Sequence, residues 1–242
     1  MRKNKKRIKL SSSLPNEILF IPNEDKKFHE TWNQGRNIGD FPHPYRICIL
    51  GKVGLGKSNV AKNIFLRGQM GQDPFKELYV VHGSKSTKEW DDVEPTMILN
   101  DIPHPDDLSE NKNKTLIIID DFEMTKISKQ ALQNLSSLFR YLSSHHNFSI
   151  IICYQSFFDM PPIVRKCCNI FVIYRPHNDD ELVTIGRRVG LKKDEIINIF
   201  DNLLTDQRDT LTIDTTIGTP AYLRKNVFQK IEKVHEKVDS EE

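Results

Sequence analysis

Apolar residues fall along this chain in two rhythms. Nearly unbroken runs of Ile, Val, Leu and aromatic residues occupy positions 45–50, 78–81, 115–119, 149–154 and 169–174. A short apolar run bounded by turn residues is the pattern of a strand buried on both faces. Between these runs the spacing turns helical: Val60, Ala61, Ile64 and Phe65 within 58–66, and Leu132, Leu135, Leu138, Phe139 and Leu142 within 126–142. Segments 179–189 and 193–204 read as two more helices, split by Gly190. Strands that alternate with helices predict an α/β fold, a mostly parallel sheet with helices on both faces. Position 96–99 reads as a short extra strand, and 101–114, rich in Pro, Asp, Asn and Lys, as an exposed connection.

The two ends have a different texture. Residues 1–10 hold six Lys/Arg and no acid, which reads as a solvated tail; the competing reading is a nucleic-acid contact or an import signal. Residues 11–44 form an extended lead-in, and Phe41-Pro42-His43-Pro44 delivers the chain to the first strand. Near the other end, 210–214 and 219–223 are predicted to pair as a small hairpin, and 227–238 to form a charged helix. The expected organisation is a lead-in (1–44), a core (45–176) and a C-terminal appendage of helices, hairpin and tail (177–242) in the same compact unit.

Composition adds bounds. The 242 residues allow one large α/β domain with appendages or two small ones. A hydrophobic fraction of 38% suffices for a core and excludes global disorder. The net charge of +2 leaves partners undetermined, because basic and acidic side chains nearly cancel. Cys48, Cys153, Cys167 and Cys168 form no C-x-x-C pair and read as thiols in a reducing compartment. No apolar run reaches the roughly 18 residues of a membrane span, and the basic N-terminus lacks a secretion signal's apolar segment. The expectation is a soluble intracellular protein.

The chemistry starts at Gly51-Lys52-Val53-Gly54-Leu55-Gly56-Lys57-Ser58, a full match to G-x-x-x-x-G-K-[S/T] between a predicted strand and a predicted helix. Glycines let backbone N–H groups wrap phosphate oxygens, and the helix that follows turns its positive end to the same anion. Residues 51–59, with Asn59 opening the helix, are therefore the expected triphosphate cradle. Lys57 would reach the β- and γ-phosphates, and the Ser58 hydroxyl would hold Mg²⁺.

Hydrolysis needs more than a cradle. The apolar strand 115–119 ends in Asp120-Asp121, which places Asp120 to hold Mg²⁺ and Asp121 to orient or deprotonate water. Glu123 is a second candidate base, set back from the strand end by Phe122. Gln155 ends the next strand, where an amide would touch both the γ-phosphate and the water, or merely cap the strand. A cation for the developing charge has candidates in Arg140, Arg165, Arg175, Arg187 and Arg188, each with a surface or ion-pair reading beside it. His145-His146 lacks further ligands at metal spacing and reads as an exposed pair.

Taken together, residues 51–58, 116–121 and 145–155 resemble the FtsK–HerA superfamily. They are most similar to the poxvirus-type genome-packaging ATPases of large DNA viruses and virophages. A run resembling Pro162-Ile163-Val164-Arg165 and Asn169 follows the Gln strand in those proteins too. The likeness covers about 45–175, with weaker support to 222–226. It implies an additional-strand fold and an ATP-driven homo-oligomeric ring that threads double-stranded DNA into a capsid, docked on a capsid or vertex protein, in an infected cell. It also implies ATP and Mg²⁺ as cofactors, Asp121 as catalytic acid and Gln155 as sensor. Two features depart from the pattern. Relatives usually carry Asp-Glu where this chain has Asp120-Asp121, which leaves the base between Asp121 and Glu123. Their loop arginine falls at Ser144, which moves a trans-acting arginine to Arg140 or Arg165.

Two other functions compete. Lys52 stands where partitioning-type switch ATPases carry a signature lysine, though Val53 replaces their glycine. A DNA- or capsid-binding module that holds ATP with little turnover is the other. No Asn-Lys-x-Asp motif supports a GTPase, and no lid is evident for a small-molecule kinase.

Overall fold

The computed structural model describes residues 41–71, 73–84, 86–124, 127–216 and 222–232. The basic tail, most of the lead-in and the end of the charged C-terminal segment lie outside these residues.

Six strands run parallel: β1 (Arg46–Leu50), β2 (Glu77–His82), β3 (Met97–Leu99), β4 (Thr115–Asp120), β5 (Phe148–Tyr154) and β6 (Ile170–Tyr174). Three more, β7 (Thr210–Asp214), β8 (Leu223–Lys225) and β9 (Gln229–Lys230), continue the sheet antiparallel. The order across the sheet is β3-β2-β4-β5-β1-β6-β7-β8-β9. Thus β5 is inserted between the strand that precedes the glycine loop and the strand that ends in two acids.

The central strands β1, β4, β5 and β6 are mostly apolar because both faces are buried. Side chains alternate across a strand, so Cys48 and Leu50 enter one core while Ile47 and Ile49 enter the other. In β4 the same alternation divides Ile117 and Ile119 from Leu116 and Ile118. The first core is covered by α3 (Lys129–Ser137), α4 (Pro162–Cys167), α5 (Asp179–Arg188) and α6 (Lys193–Asn202). The second is covered by α1 (Lys57–Gln69), Phe75 and the fully buried Trp90. A short helix α2 (Pro105–Ser109) packs Leu108 on the first core.

The helical stretch expected at 126–142 begins at the Ser128 cap, whose hydroxyl accepts the Ala131 N–H at 3.0 Å. It changes at Leu138–Leu142 into a π-helical turn, then ends in the turn Ser143–His145. The helices α2 and α4, of five and six residues, interrupt segments without readable periodicity.

The C-terminal region departs from expectation in two ways. β7 pairs with β8 at Leu223–Lys225, later than the 219–223 expected, of which 219–221 lie outside the described residues; β7 also pairs with β6 from Tyr174↔Thr210 to Ile170↔Asp214, so this pair extends the central sheet. The charged helix expected from 227 is absent over the described residues 227–232. There the chain turns through positive φ at Asn226 (49°) and Val227 (71°), and β9 pairs back on β8. Burial of Val227 in the second core, at 3% exposure, favours this turn over a helix.

One buried ion pair fixes the extension. Arg224 and Asp214 both have fully buried side chains and meet at 2.7 Å, with the guanidinium 4.5 Å from the Phe41 ring centroid.

Candidate nucleotide site

The carboxyl ends of β2, β4, β5, β1 and β6 are neighbours, and the chemistry-bearing residues gather there. Register aligns His82 of β2 with Asp120 of β4, Ile49 with Cys153, and Leu50 with Tyr154 of β5. The Gly51 N–H donates to the Tyr154 carbonyl at 3.1 Å, which places the loop's first residue beside Gln155.

The loop takes the shape its glycines permit. Gly54 and Gly56 have φ of 82° and 98°, a region costly for side chains with a Cβ. Gly51 answers a different demand: a Cβ there would lie 2.6 Å from Cδ2 of Tyr174 on β6. Gly56 caps α1 with no side-chain hydrogen bond, and the first turn contains no acid. The opening N–H groups of a helix lack carbonyl partners within it, so those of Lys57, Ser58 and Asn59 are groups an anion could satisfy. The Lys57 ammonium donates to the Lys52 carbonyl at 3.0 Å across the loop. Val53, at the tip, is 76% exposed.

Asp120 is only 2% exposed, and its Oδ2 has no hydrogen-bond partner among the described residues. A buried carboxylate oxygen without a donor is costly. A hydrated Mg²⁺ would satisfy it, and the Ser58 hydroxyl opens the facing helix. No group of three or more His, Cys, Asp or Glu able to hold a metal occurs among the described residues. The Cys153 thiol is pushed well above its ordinary range, first by burial and then by Asp120 beside it, with Lys57 pulling the other way. Tyr174 is likewise raised by burial and then by Cys153, against the opposing pull of Arg208.

Asp121 follows in a turn with φ 47° and a side chain 81% exposed. Its Oδ2 lies 3.8 Å from Nε2 of His82. Glu123 and Gln155 are also exposed at this end of the sheet. Arg140 and Arg165 are not brought to the loop within one chain. Arg140 lies in the π-helical turn that leads to the amino end of β5, and Arg165 in the last turn of α4, which leads to the amino end of β6. At that opposite edge Arg46 donates to the Phe139 carbonyl and to Ser144 Oγ at 3.3 and 3.2 Å. Arg175 pairs with Asp201 at 2.5 Å. His145 closes its helical turn with the ring 5.2 Å from that of Tyr141.

Sequence reasoning missed His82. Its signal was present, since it ends an apolar strand just as Asp120 does, but no motif marks it.

The fold is an α/β fold of the P-loop type with an additional strand between the loop strand and the acid-ended strand. Neither a protein-family model nor a curated protein matches the sequence. Solved structures do. B204, the DNA-packaging ATPase from Sulfolobus turreted icosahedral virus, superposes with a TM-score of 0.52 at 16% identity, over 77% of this chain and 97% of that one. The genome-packaging NTPase B204 from Sulfolobus turreted icosahedral virus 2, in complex with sulfate, gives 0.52 and 16% over 80% and 100%. The pCW3 conjugation coupling protein TcpA, with ATPγS, gives 0.51 and 13% over 78% of this chain and 61% of that one. The chain therefore has the fold of the viral genome-packaging ATPases, the class its motif order resembles.

Proposed function

We propose that this protein is an ATP-hydrolysing motor that drives double-stranded DNA into a viral capsid. The observation that carries this reading is the order β4-β5-β1 at the carboxyl edge, which sets Asp120-Asp121, Gln155 and the glycine loop side by side. In this reading residues 51–59 hold the triphosphate, and Ser58 and Asp120 hold Mg²⁺, which would neutralise charge on the phosphates. Asp121 takes a proton from water as its oxygen bonds the γ-phosphorus and the bond to the β,γ-bridging oxygen breaks, leaving ADP and phosphate. Glu123 is the alternative base. Gln155 touches the γ-phosphate and the water. The fold likeness to packaging ATPases and to a conjugation coupling protein supports DNA as the substrate of the motion.

The same reading calls for a ring of identical copies, with Arg140 or Arg165 reaching a neighbour's site, and a capsid or vertex protein as the docking partner. It places the protein in an infected cell. Among the described residues no helix is long and apolar enough to cross a membrane.

The deciding assay measures ATP turnover with and without double-stranded DNA for wild type, Lys57→Ala and Asp121→Asn. The expected result is DNA-stimulated turnover that both substitutions abolish, Asp121→Asn by about 10²- to 10⁴-fold for loss of a general base. Turnover indifferent to DNA would refute the motor. Binding without turnover would favour a module that merely holds ATP. Light scattering with nucleotide and DNA should report rings; a dimer formed on ATP alone would favour a partitioning-type switch.

A further inference from the structure

His82 occupies a place that its packing does not explain. It is 6% exposed at the end of β2, and its Nε2 has no hydrogen-bond partner among the described residues. The other ring nitrogen is engaged: Nδ1 accepts the Ser84 N–H at 3.0 Å, with the Ser84 carbonyl 3.1 Å away. Nε2 faces two carboxylates, Asp121 Oδ2 and Glu89 Oε2, each at 3.8 Å. A lone pair on Nε2 would oppose both anions, whereas a proton there attracts both. With Nδ1 accepting from Ser84, the neutral ring therefore carries its proton on Nε2.

Asp121 needs such a partner. Its backbone sits in a positive-φ turn, and its side chain is largely in solvent, where a carboxylate samples many directions. The end of β2 is pressed against it, since a Cβ on Gly83 would stand 3.0 Å from the Asp121 carbonyl. The strand pairing His82↔Asp120 holds the imidazole at a fixed height beside the two acids. We infer that His82 is the positioning residue of Asp121: its Nε2–H turns the carboxylate toward the attacking water, while the Ser84 N–H locks the ring. Asp121, 81% exposed at its side chain, has room to turn, and its positioning by His82 requires the 3.8 Å separation to shorten to a hydrogen bond when it does. This rests on Asp121 being the base in the proposed hydrolysis.

Two substitutions separate the ring's two nitrogens. The Gln side-chain amide reaches about as far as Nε2 and keeps a donor toward Asp121. The Asn amide reaches only as far as Nδ1, so His82→Asn keeps the Ser84 contact and loses the donor. With saturating DNA, His82→Asn should lower kcat at least about tenfold with KM for ATP within about twofold, the signature of an interaction needed for the chemical step. His82→Gln should recover most of the rate. In an Asp121→Asn background, His82→Asn should cost nothing further, because residues that act as a unit are not additive. Glu89→Gln should leave kcat within about twofold, and thermal melting should show each variant folded.

Equal losses in His82→Gln and His82→Asn would overturn the inference, since ring shape would then matter and the donor would not. A raised KM at unchanged kcat, or a Glu89→Gln variant as slow as His82→Asn, would do the same. An inactive Asp121→Asn beside a fully active His82→Asn would sink the positioning role alone. A fully active Asp121→Asn would sink the base assignment beneath it.

Discussion

Cutting the buried Arg224–Asp214 pair should destabilise the protein out of proportion to its distance from the loop. Both side chains are fully buried, their charged atoms meet at 2.7 Å, and Asp214 Oδ1 also accepts the Thr216 N–H at 3.0 Å. Asp214→Asn keeps a similar shape but removes the negative charge that faces the buried guanidinium. Removing one partner of a buried pair costs about 3–5 kcal/mol. For a chain of this size each kcal/mol moves the midpoint by about 2–4 °C, so the drop in Tm should fall between roughly 6 and 20 °C. Arg224→Met alone should cost a comparable amount, because it takes the guanidinium away from a buried carboxylate. The double variant Asp214→Leu/Arg224→Met should return to within about 1 kcal/mol of wild type, since apolar replacement of a whole buried pair is often neutral. Denaturant unfolding of these proteins together with Asp214→Leu alone closes the cycle and gives the coupling energy. Single variants that each cost under about 1 kcal/mol would equate this pair with an exposed one and refute the reasoning.

Three other outcomes follow from the geometry. Gly51→Ala places a methyl into the Tyr174 ring; it should cost about 1–3 kcal/mol by urea unfolding and weaken nucleotide binding in titration calorimetry. Gln155→Ala removes an exposed side chain, so unfolding should change by no more than about 0.5 kcal/mol. Its kcat for DNA-stimulated turnover should nevertheless fall at least about tenfold if the amide meets the transition state. Glu77 is drawn below its ordinary range, because hydrogen bonds from Tyr79, Asn113 and Asn111 outweigh the opposing effect of burial. A depressed carboxylate contributes stability above its unfolded pKa of about 4.3, and that contribution is lost as pH falls through the folded value. Acid titration of Glu77→Gln should therefore show a shallower loss of stability below about pH 4 than wild type.

The parallel sheet was legible because both of its faces are covered, so that burial writes itself as unbroken runs such as 115–119. The loop, Asp120-Asp121 and Gln155 were legible because each is a local pattern at a strand end. What escaped is set by pairing between distant segments. His82 acquires its meaning only when β2 lies beside β4, and no spacing in the chain announces that. The turn at Asn226-Val227 defeated a helical pattern because Val227 found a core to enter and Gln229–Lys230 found β8 to pair with. The helices α2 and α4 are too short to show a period.

The hydrogen bond from Gly51 to Tyr154 makes a ruler of the sheet edge. It joins the first residue of the loop to the strand that ends at Gln155, and both strands are sealed in core on either side. The spacing between loop and strand end is thereby set by backbone pairing, so on the proposed reading the main chain beside Gln155 should move less than the Gln155 side chain when a triphosphate binds. A report of nucleotide state from this edge would then be carried by rotating side chains, or by what another molecule brings against them.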